Sequence, residues 1–466
     1  MCYYESGLIH LQFHLVRSLM YDALNGSRFP LCFNFFNSLT TIINFNVIKL
    51  PGIHQSFEKM DENLKNIILY FFRHICNLFS SYLVSYKINH PTISETEIIR
   101  PTRVEVDLKR LGDNYRKVKE HVSPVKVMPI LKANAYGHGL VRIAQFYQDL
   151  DADYLGVAVV EEGILLRESG INIPILVLGG IWGNQVPLFL QNDLTITASS
   201  IDKLHQIDEI AEQMRITAKV HLKIDTGMER IGVHYYNAER FIEVAYKCKN
   251  IDVIGIYSHF SNAESNDISY AKLQFERFME VLNYFDNHSI KPPLRHISNS
   301  GGILQLPEAN LDMVRPGIML FGVYPSKEIQ KTIEVKPTLT WKSLVVYFKV
   351  IKPDHPVGYG LSWQTFHNVR AVTVPVGYGD GYFRSMFQKA EVIINGKRYP
   401  VVGSISMDQI IVNIEQDSAY NGDEVILIGS DGKNSITFEE MADWAGTIPY
   451  EILTNINTRV PRIYKD

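Results

Sequence analysis

Lys132 stands where an apolar run, residues 125–131, interrupted by Lys126 and Pro129, gives way to the glycine-rich stretch Asn134-Ala135-Tyr136-Gly137-His138-Gly139. The run reads as a buried strand, so the lysine sits where a strand leaves its sheet. A lysine there is costly unless paired or used, and one whose amine is kept neutral by burial can form a Schiff base with a carbonyl. The plain alternative is a lysine that snorkels to the surface. Tyr359 lies between Gly358 and Gly360. On such a turn its hydroxyl is free of neighbouring side chains, which suits proton transfer or ordinary packing of a turn tyrosine. Arg315, before Pro316, reads by itself as a strand-end ion-pair partner. Ser300 opens a helical stretch after Asn299, where a hydroxyl serves an anion or simple helix capping equally well. His259 by itself reads as a satisfied core histidine.

The elements that must hold these residues recur regularly from Arg103 onward, an apolar strand-like run followed by a helical stretch. Strands are predicted near residues 127–131, 154–159, 173–178, 194–198, 219–224, 253–257, 295–297 and 313–315. Segments between them, such as 200–214 and 270–288, carry apolar residues at helical spacing. About eight such units predict a (β/α)8 barrel over residues 101–325, in which sites gather at the C-terminal ends of the strands. Lys132, His259, Ser300 and Arg315 fall at those ends. A doubly wound sheet would give similar periodicity.

After residue 325 the rhythm changes to strands, predicted at 339–350, 369–376, 390–394, 398–402, 410–414 and 425–428. Asn395-Gly396 is a two-residue hairpin signal. A helix is predicted over 437–445, with Thr437 and Glu440 spaced as a capping box. Residues 326–466 therefore read as a second, mostly β domain.

Composition narrows the function. A hydrophobic content of 46% with 21% charged residues fits a globular protein rather than a disordered one. The net charge of -4 and the lack of a basic stripe argue against nucleic-acid binding. Cys2, Cys32, Cys76 and Cys248 are scattered without paired spacing, which speaks against a disulfide framework or a metal site and makes a reducing cytoplasm the expected compartment. Residues 1–100 form an extension rich in Phe, Asn, Ile, Ser and Tyr. Its apolar stretches, 29–51 and 67–86, are broken by asparagines in the first and by Arg73 and His74 in the second. Neither is a clean membrane span, and no signal-peptide pattern opens the chain. Three readings stay open: an over-early start with Met60 or a later residue as the true one, a helical appendage, or, least favoured by composition, membrane association.

A set of short motifs says more. In order they are KANAYGHG (132–139), HLKIDTGMERIG (221–232), SHF (258–260), HISNS (296–300), VRPGIMLFG (314–322), VGYG (357–360), VGYGDGY (376–382), GSISMDQ (403–409) and RVPRIY (459–464). With them the chain resembles the alanine racemases, pyridoxal 5'-phosphate (PLP) enzymes built from a barrel and a β domain. The resemblance implies that Lys132 carries PLP and then serves as the base on one face of the substrate. It implies that Tyr359 is the opposing base, supplied by the other subunit of a head-to-tail homodimer. Arg315 would face the pyridine nitrogen, offering a hydrogen bond and no proton. Ser300, the amides of Gly317 and Ile318, Tyr136 and Tyr450 would hold the phosphate, and His259 would pack on the ring. Arg230 and the backbone at Met407 correspond to carboxylate-binding positions. Lys223 matches a lysine that is often carbamylated to hold that arginine, and Tyr378 a gate that narrows the entrance. The implied reaction interconverts L- and D-alanine, supplying D-alanine for peptidoglycan.

Two positions depart from the commonest family pattern: Gly358, where serine is more usual, and Ser404, where arginine is. Neither removes a group with an assigned role. Barrel-type PLP decarboxylases supply a cysteine from the β domain, and all four cysteines here precede residue 325. A serine or broad-specificity racemase would keep the same residues in a wider pocket. A PLP carrier without turnover would leave Tyr359 without a task.

Overall fold

The computed structural model describes residues 100–466, so the readings of the N-terminal extension lie outside the described residues. Strand β1 (Arg103–Asp107) alternates half-buried and buried side chains, as a strand with one face on a core does. It runs into helix α1 (Leu108–His121), whose cap Asp107 accepts the Arg110 N–H at 2.8 Å. Short strands follow: β2 (Lys126–Val127), β3 (Leu155–Val157), β4 (Ile175–Val177), β5 (Thr195–Ala198), β6 (Ala218–Asp225), β7 (Val233–His234), β8 (Ile251–Tyr257), β9 (Leu294–His296) and β10 (Met313–Val314). Between them run α2 (Leu140–Asp149), α3 (Val160–Glu168), α4 (Val186–Gln191), α5 (Ile201–Met214), α6 (Ala238–Lys247), α7 (Ser269–Asn287) and α8 (Ser300–Gln305).

β3-β4-β5-β6-β8-β9 make one parallel sheet in that order, and β10 pairs with β2 in parallel. Two bridges, Ile130 with Gly156 and Asn299 with Arg315, close the strands into a ring. The closing bonds run from Leu131 N–H to Gly156 O at 2.8 Å and from Arg315 N–H to Ser298 O at 3.0 Å. The barrel strands are the eight predicted, and the ring excludes the doubly wound alternative. Every residue of β3, β4 and β5 is buried, because a barrel strand is covered on both faces. β2 is shorter than expected, since Pro129 has no N–H to extend the ladder.

The second domain contains β11 (Leu339–Leu344), β12 (Tyr347–Ile351), β13 (Val369–Val374), β14 (Glu391–Ile394), β15 (Lys397–Val402), β16 (Ile410–Glu415), β17 (Glu424–Ser430), β18 (Ser435–Ile436) and β19 (Arg462–Lys465). Their order is β12-β13-β16-β15-β14-β17-β11-β1-β19, with β18 on β17. β1, which precedes the barrel in sequence, thus lies between β11 and β19 in this sheet. The single strand expected over 339–350 is two strands. Val345 N–H bonds to Asp423 O and Val346 N–H to Thr373 O, so the chain changes partners there. Asn395 and Gly396 take φ of 49° and 78°, as a two-residue hairpin of this kind requires. Thr437 caps α9 (Phe438–Ala445) by accepting the Glu440 N–H at 3.1 Å. The other half of the expected capping box is missing, because the Glu440 carboxylate pairs with Arg398. Helix α10 (Pro449–Asn455) and β19 complete the chain.

A charged staple holds β9 to β10. Arg295 donates from Nε to Asp312 Oδ2 at 2.8 Å and from Nη2 to Oδ1 at 2.9 Å, while its own N–H also reaches Oδ2 at 2.8 Å. Burial pushes the Asp312 carboxyl up, but these bonds and the Arg295 charge outweigh it and hold it below the usual range. The ionised form is therefore the stabilising one. We expect Asp312→Asn to lower the unfolding free energy at pH 7 by about 1–3 kcal/mol. Because the folded carboxyl is depressed, the wild type loses this advantage as pH falls below about 4, and the two urea-unfolding profiles converge there.

Candidate active site

Lys132 lies two residues beyond the bridge that closes the barrel, at its C-terminal mouth. The next residues form a turn before the helix at Leu140–Asp149. Ala133, Asn134, Ala135 and Tyr136 have φ between 50° and 57°, a left-handed turn, before Gly137 at 81°. Non-glycine residues pay about 1–2 kcal/mol each for that conformation, so the surroundings must enforce it. Glu162, in the first turn of α3, does so with both oxygens: Oε1 accepts the Ala133 N–H at 2.7 Å and Oε2 the Ala158 N–H at 2.8 Å. Asn134 Oδ1 accepts the Leu140 N–H at 2.8 Å. From β19, Arg462 Nε donates to Gly137 O at 2.9 Å and the Tyr464 hydroxyl to His138 O at 2.9 Å. The Lys132 amine is shifted below its ordinary value by partial burial, with the Arg230 and Arg315 charges adding to the shift and Glu162 opposing it.

Arg315 is buried at the end of β10. Its Nη1 donates to His296 Nδ1 at 2.9 Å, and Nη2 reaches Ser258 O at 2.8 Å, Ile297 O at 2.9 Å and His259 Nδ1 at 3.1 Å. Among the described residues no carboxylate pairs with it. Donor counting sets the histidine tautomers. His296 accepts at Nδ1, so its proton is on Nε2 and goes to His221 Nδ1 at 2.9 Å. The His221 proton is then on Nε2, which is buried without a partner among the described residues. Burial and the Arg315 charge lower the pKa of all three rings: His221 is pushed down to about 3, and His259 and His296 fall well below the usual value. Arg315 is itself pushed down to about 10 by burial, so it stays charged at neutral pH. The Tyr257 ring lies parallel to His296 at 4.7 Å, with the Lys223 amine 4.7 Å and the Arg315 guanidinium 5.3 Å from its centroid.

Lys223 is buried, and desolvation followed by the Arg315 charge drives its amine well below the usual lysine range. The nearby acid, Asp225, is already occupied, accepting backbone N–H groups of Gly227, Met228 and Arg230 at 2.8, 2.9 and 3.2 Å. Arg230, on the loop that Asp225 shapes, is exposed.

A cradle of donors adjoins these cations. Ser300 is not the helix cap; Asn299 is, accepting the Gly302 N–H at 3.0 Å. The Ser300 hydroxyl instead accepts the Gly317 N–H at 3.0 Å. This occupies the Gly317 donor and leaves Ile318, first in a 3₁₀ turn, with an N–H that has no intrahelical acceptor. A Cβ on Gly317 would fall 2.4 Å from the Tyr136 hydroxyl, so only glycine keeps this space open. The Tyr450 ring lies 6.2 Å from that of Tyr136. Burial raises both phenols, which remain protonated donors. The set suits a phosphate group: neutral hydroxyls, a helix-start amide and a reserved void.

Tyr359 is not gathered into this group. It is 74% exposed on the β12–β13 connection, and the described hydrogen bonds of its turn all stay within the second domain. Tyr378 and Met407, 43% and 52% exposed, meet on neighbouring turns, where Tyr378 N–H bonds to Ser406 O and Gly379 N–H to Met407 O. Sequence reasoning missed Glu162, Asp225, Tyr257 and His296. Glu162 carried one usable signal, an acidic residue in the first turn of a helix that follows a barrel strand; Tyr257 and His296 act through partners remote in sequence, whereas Asp225 holds the backbone of the residues just after it.

The chain matches the family models for the alanine racemase N-terminal domain over residues 106–325 and the alanine racemase C-terminal domain over residues 338–464. It is 43% identical to the alanine racemase of Carboxydothermus hydrogenoformans over 368 residues, covering 78% of this chain and 100% of that protein. Its structure resembles that of alanine racemase from Clostridium difficile 630, with a TM-score of 0.75 and 37% identity over 79% of this chain and 96% of the other. It also resembles Bartonella henselae alanine racemase with covalently bound pyridoxal phosphate, with a TM-score of 0.72 and 28% identity over 78% and 99% of the two chains.

Glu162→Gln keeps one acceptor oxygen and faces the other N–H with a donor. It is expected to cost about 1–3 kcal/mol of stability, read by urea unfolding. Amide exchange should quicken at Ala133 or Ala158; unchanged exchange at both would refute the clamp.

Proposed function

We propose, because the chain belongs to the alanine racemase family, that it interconverts L- and D-alanine with PLP as its resident cofactor and two bases on opposite faces of one carbon. Membership makes it an isomerase, an amino-acid racemase. The observation that carries the finer reading is the placing of Lys132 at one barrel mouth with a buried, carboxylate-free Arg315 and a donor cradle that a single Cβ at Gly317 would fill.

Tyr136, Tyr450, Ser300 and Ile318 would hold the phosphate across the space above Gly317, and His259 would pack against the ring. Lys132 would hold the cofactor through its amine. When bound, PLP supplies an electron sink for the charge left as the Cα proton departs. Arg315 has an Nε–H to offer the ring nitrogen and no proton to give up, which keeps the sink shallow and disfavours side reactions. The free Lys132 amine would take or return the Cα proton on one face; its lowered pKa leaves more of it unprotonated at moderate pH than an ordinary lysine. Arg230 and the Met407 backbone would receive the substrate carboxylate, and Tyr378 would limit the entrance to small side chains. Carbamylation of the buried Lys223, whose amine is held well below the usual lysine range, would create the anion that Arg230 otherwise lacks.

The second face needs Tyr359, which a single chain leaves exposed. We assign it to the neighbouring barrel of a head-to-tail homodimer, so that the partner subunit's Tyr359 completes each site. The product serves peptidoglycan synthesis, in the cytoplasm. Among the described residues no helix is long and apolar enough to cross a membrane.

Purified protein given L-alanine in deuterated water should lose optical rotation as Cα deuterium appears, with serine as the competing substrate; CO₂ release without D-alanine would mean a decarboxylase. Lys132→Ala should lose both this activity and the visible absorbance of bound PLP. The dimer has its own test. Lys132→Ala and Tyr359→Phe, each nearly inactive, should regain activity when unfolded together and refolded. Random pairing places one intact site in half of the dimers, about a quarter of the wild-type sites. No recovery would rule out shared sites.

A further inference from the structure

Gly358 and Ser404, the two departures from the commonest motif pattern, meet in space. The turn that carries Tyr359 is closed by Val357 and Trp363, whose N–H to O bond is 2.8 Å. Gly358 takes φ of 74°, and a Cβ on it would stand 3.0 Å from the Ser404 backbone nitrogen and 3.4 Å from Gly403 Cα. The two backbones are therefore pressed together at the point where a side chain is missing. The Ser404 hydroxyl donates to the Tyr359 carbonyl at 2.9 Å. The Ser362 hydroxyl lies 3.0 Å from the Ser404 hydroxyl and 3.3 Å from the same carbonyl. Each hydroxyl has one proton, and the shorter bond to the carbonyl is that of Ser404, which favours the chain from Ser362 to Ser404 to Tyr359 O. An arginine at 404 has no hydroxyl on Cβ to take this place, and a serine at 358 would carry a Cβ into the contact.

We propose that Ser404 is a positioning residue for Tyr359, and that Gly358 and Ser404 are one coupled change: the bare glycine lets the serine backbone approach, and the serine hydroxyl, braced by Ser362, fixes the carbonyl of the residue whose phenol handles the proton. This rests on the role proposed above for Tyr359. Ser404 acts on the turn and touches neither substrate nor cofactor.

The test separates inversion from exchange in the loaded, full-length protein in deuterated water. L- and D-alanine have equal free energy, so any variant slows kcat/KM equally in both directions, and overall rates cannot tell one base from the other. Exchange can. From the enantiomer whose proton faces Lys132, the lysine alone can return deuterium to the same face, whereas inversion also needs Tyr359. Ser404→Ala should lower inversion roughly 3- to 10-fold, the loss of one hydrogen bond, with exchange without inversion from that enantiomer kept within about two-fold. Ser404→Thr should restore inversion, and Gly358→Ala should show the same signature as Ser404→Ala. In the cofactor-free protein, amide exchange across residues 359–362 should quicken in Ser404→Ala.

Normal inversion in Ser404→Ala, or an equal fall of inversion and exchange, overturns the proposal. Tyr359→Phe run alongside tells the two failures apart. If that variant inverts normally, the tyrosine reading itself is wrong and this proposal falls with it. If it loses inversion and keeps one-sided exchange while Ser404→Ala is normal, only the positioning role fails.

Discussion

A buried guanidinium without a counter-ion is the constraint to which the rest of the barrel mouth answers. Arg315 cannot shed its charge at neutral pH, and taking an ion out of water costs several kcal/mol even after relaxation. Four acceptors surround it, two carbonyls and two imidazole nitrogens, served by one proton of Nη1 and the two of Nη2, each full bond contributing about 1.5–3 kcal/mol. That sum is of the size needed without any carboxylate. It holds only while His259 and His296 present lone pairs, so both must be neutral, and His296 in turn sets the tautomer of His221. The same positive field falls on Lys223 and Lys132 and lowers both. Burial, with the charge of this one residue added, thus biases its neighbours against carrying a proton, and leaves a surplus of positive potential beside a cradle suited to an anion.

A second constraint is mechanical. The left-handed turn after Lys132 is a strained conformation that persists because structure on both sides requires it. Glu162 secures it from the barrel, while Arg462 and Tyr464 secure it from β19. β19 is itself paired with β1, which runs directly into the barrel's first helix. The second domain therefore helps to place a residue of the first through the two ends of the described chain. Gly137 belongs to this arrangement: a side chain there would come within 2.2 Å of Leu453 O in α10.

What the sequence made legible follows from the range of the interactions involved. Strands with apolar neighbours on both faces announce themselves as short hydrophobic runs, and all the barrel strands were visible that way. The Asn395-Gly396 hairpin was visible because its backbone demand is local. The break at Val345 was not, since it depends on two acceptors remote in sequence, Asp423 just before β17 and Thr373 in β13. The helix at 438–445 was predicted with its cap, but the fate of Glu440 turned on Arg398, some forty positions away. The site divides in the same way. Lys132, Arg315 and Ser300 stood out through position and motif; the cap attributed to Ser300 belonged to Asn299, because the serine hydroxyl is drawn to Gly317. The left-handed turn had no local signal beyond one asparagine and the glycines that follow, because alanine at φ near 50° is stabilised only by contacts from afar.

The proposed pair of bases stands on very different footings. Lys132 stands on a turn held from two domains in a cationic environment, with its side chain exposed at the barrel mouth. Tyr359 stands on an open turn held by serine hydroxyls and glycine backbone. Mirror-image substrates of equal free energy require equal kcat/KM in the two directions whatever surrounds each base, so overall rates do not report this difference; each group still handles its proton best when water is excluded. Neither group is covered in a single chain: the Lys132 side chain is exposed at the barrel mouth and Tyr359 is 74% exposed, so both gain seclusion only if a second subunit closes over them. Assembly then becomes part of the chemistry, since covering the tyrosine and completing the neighbouring site are the same event.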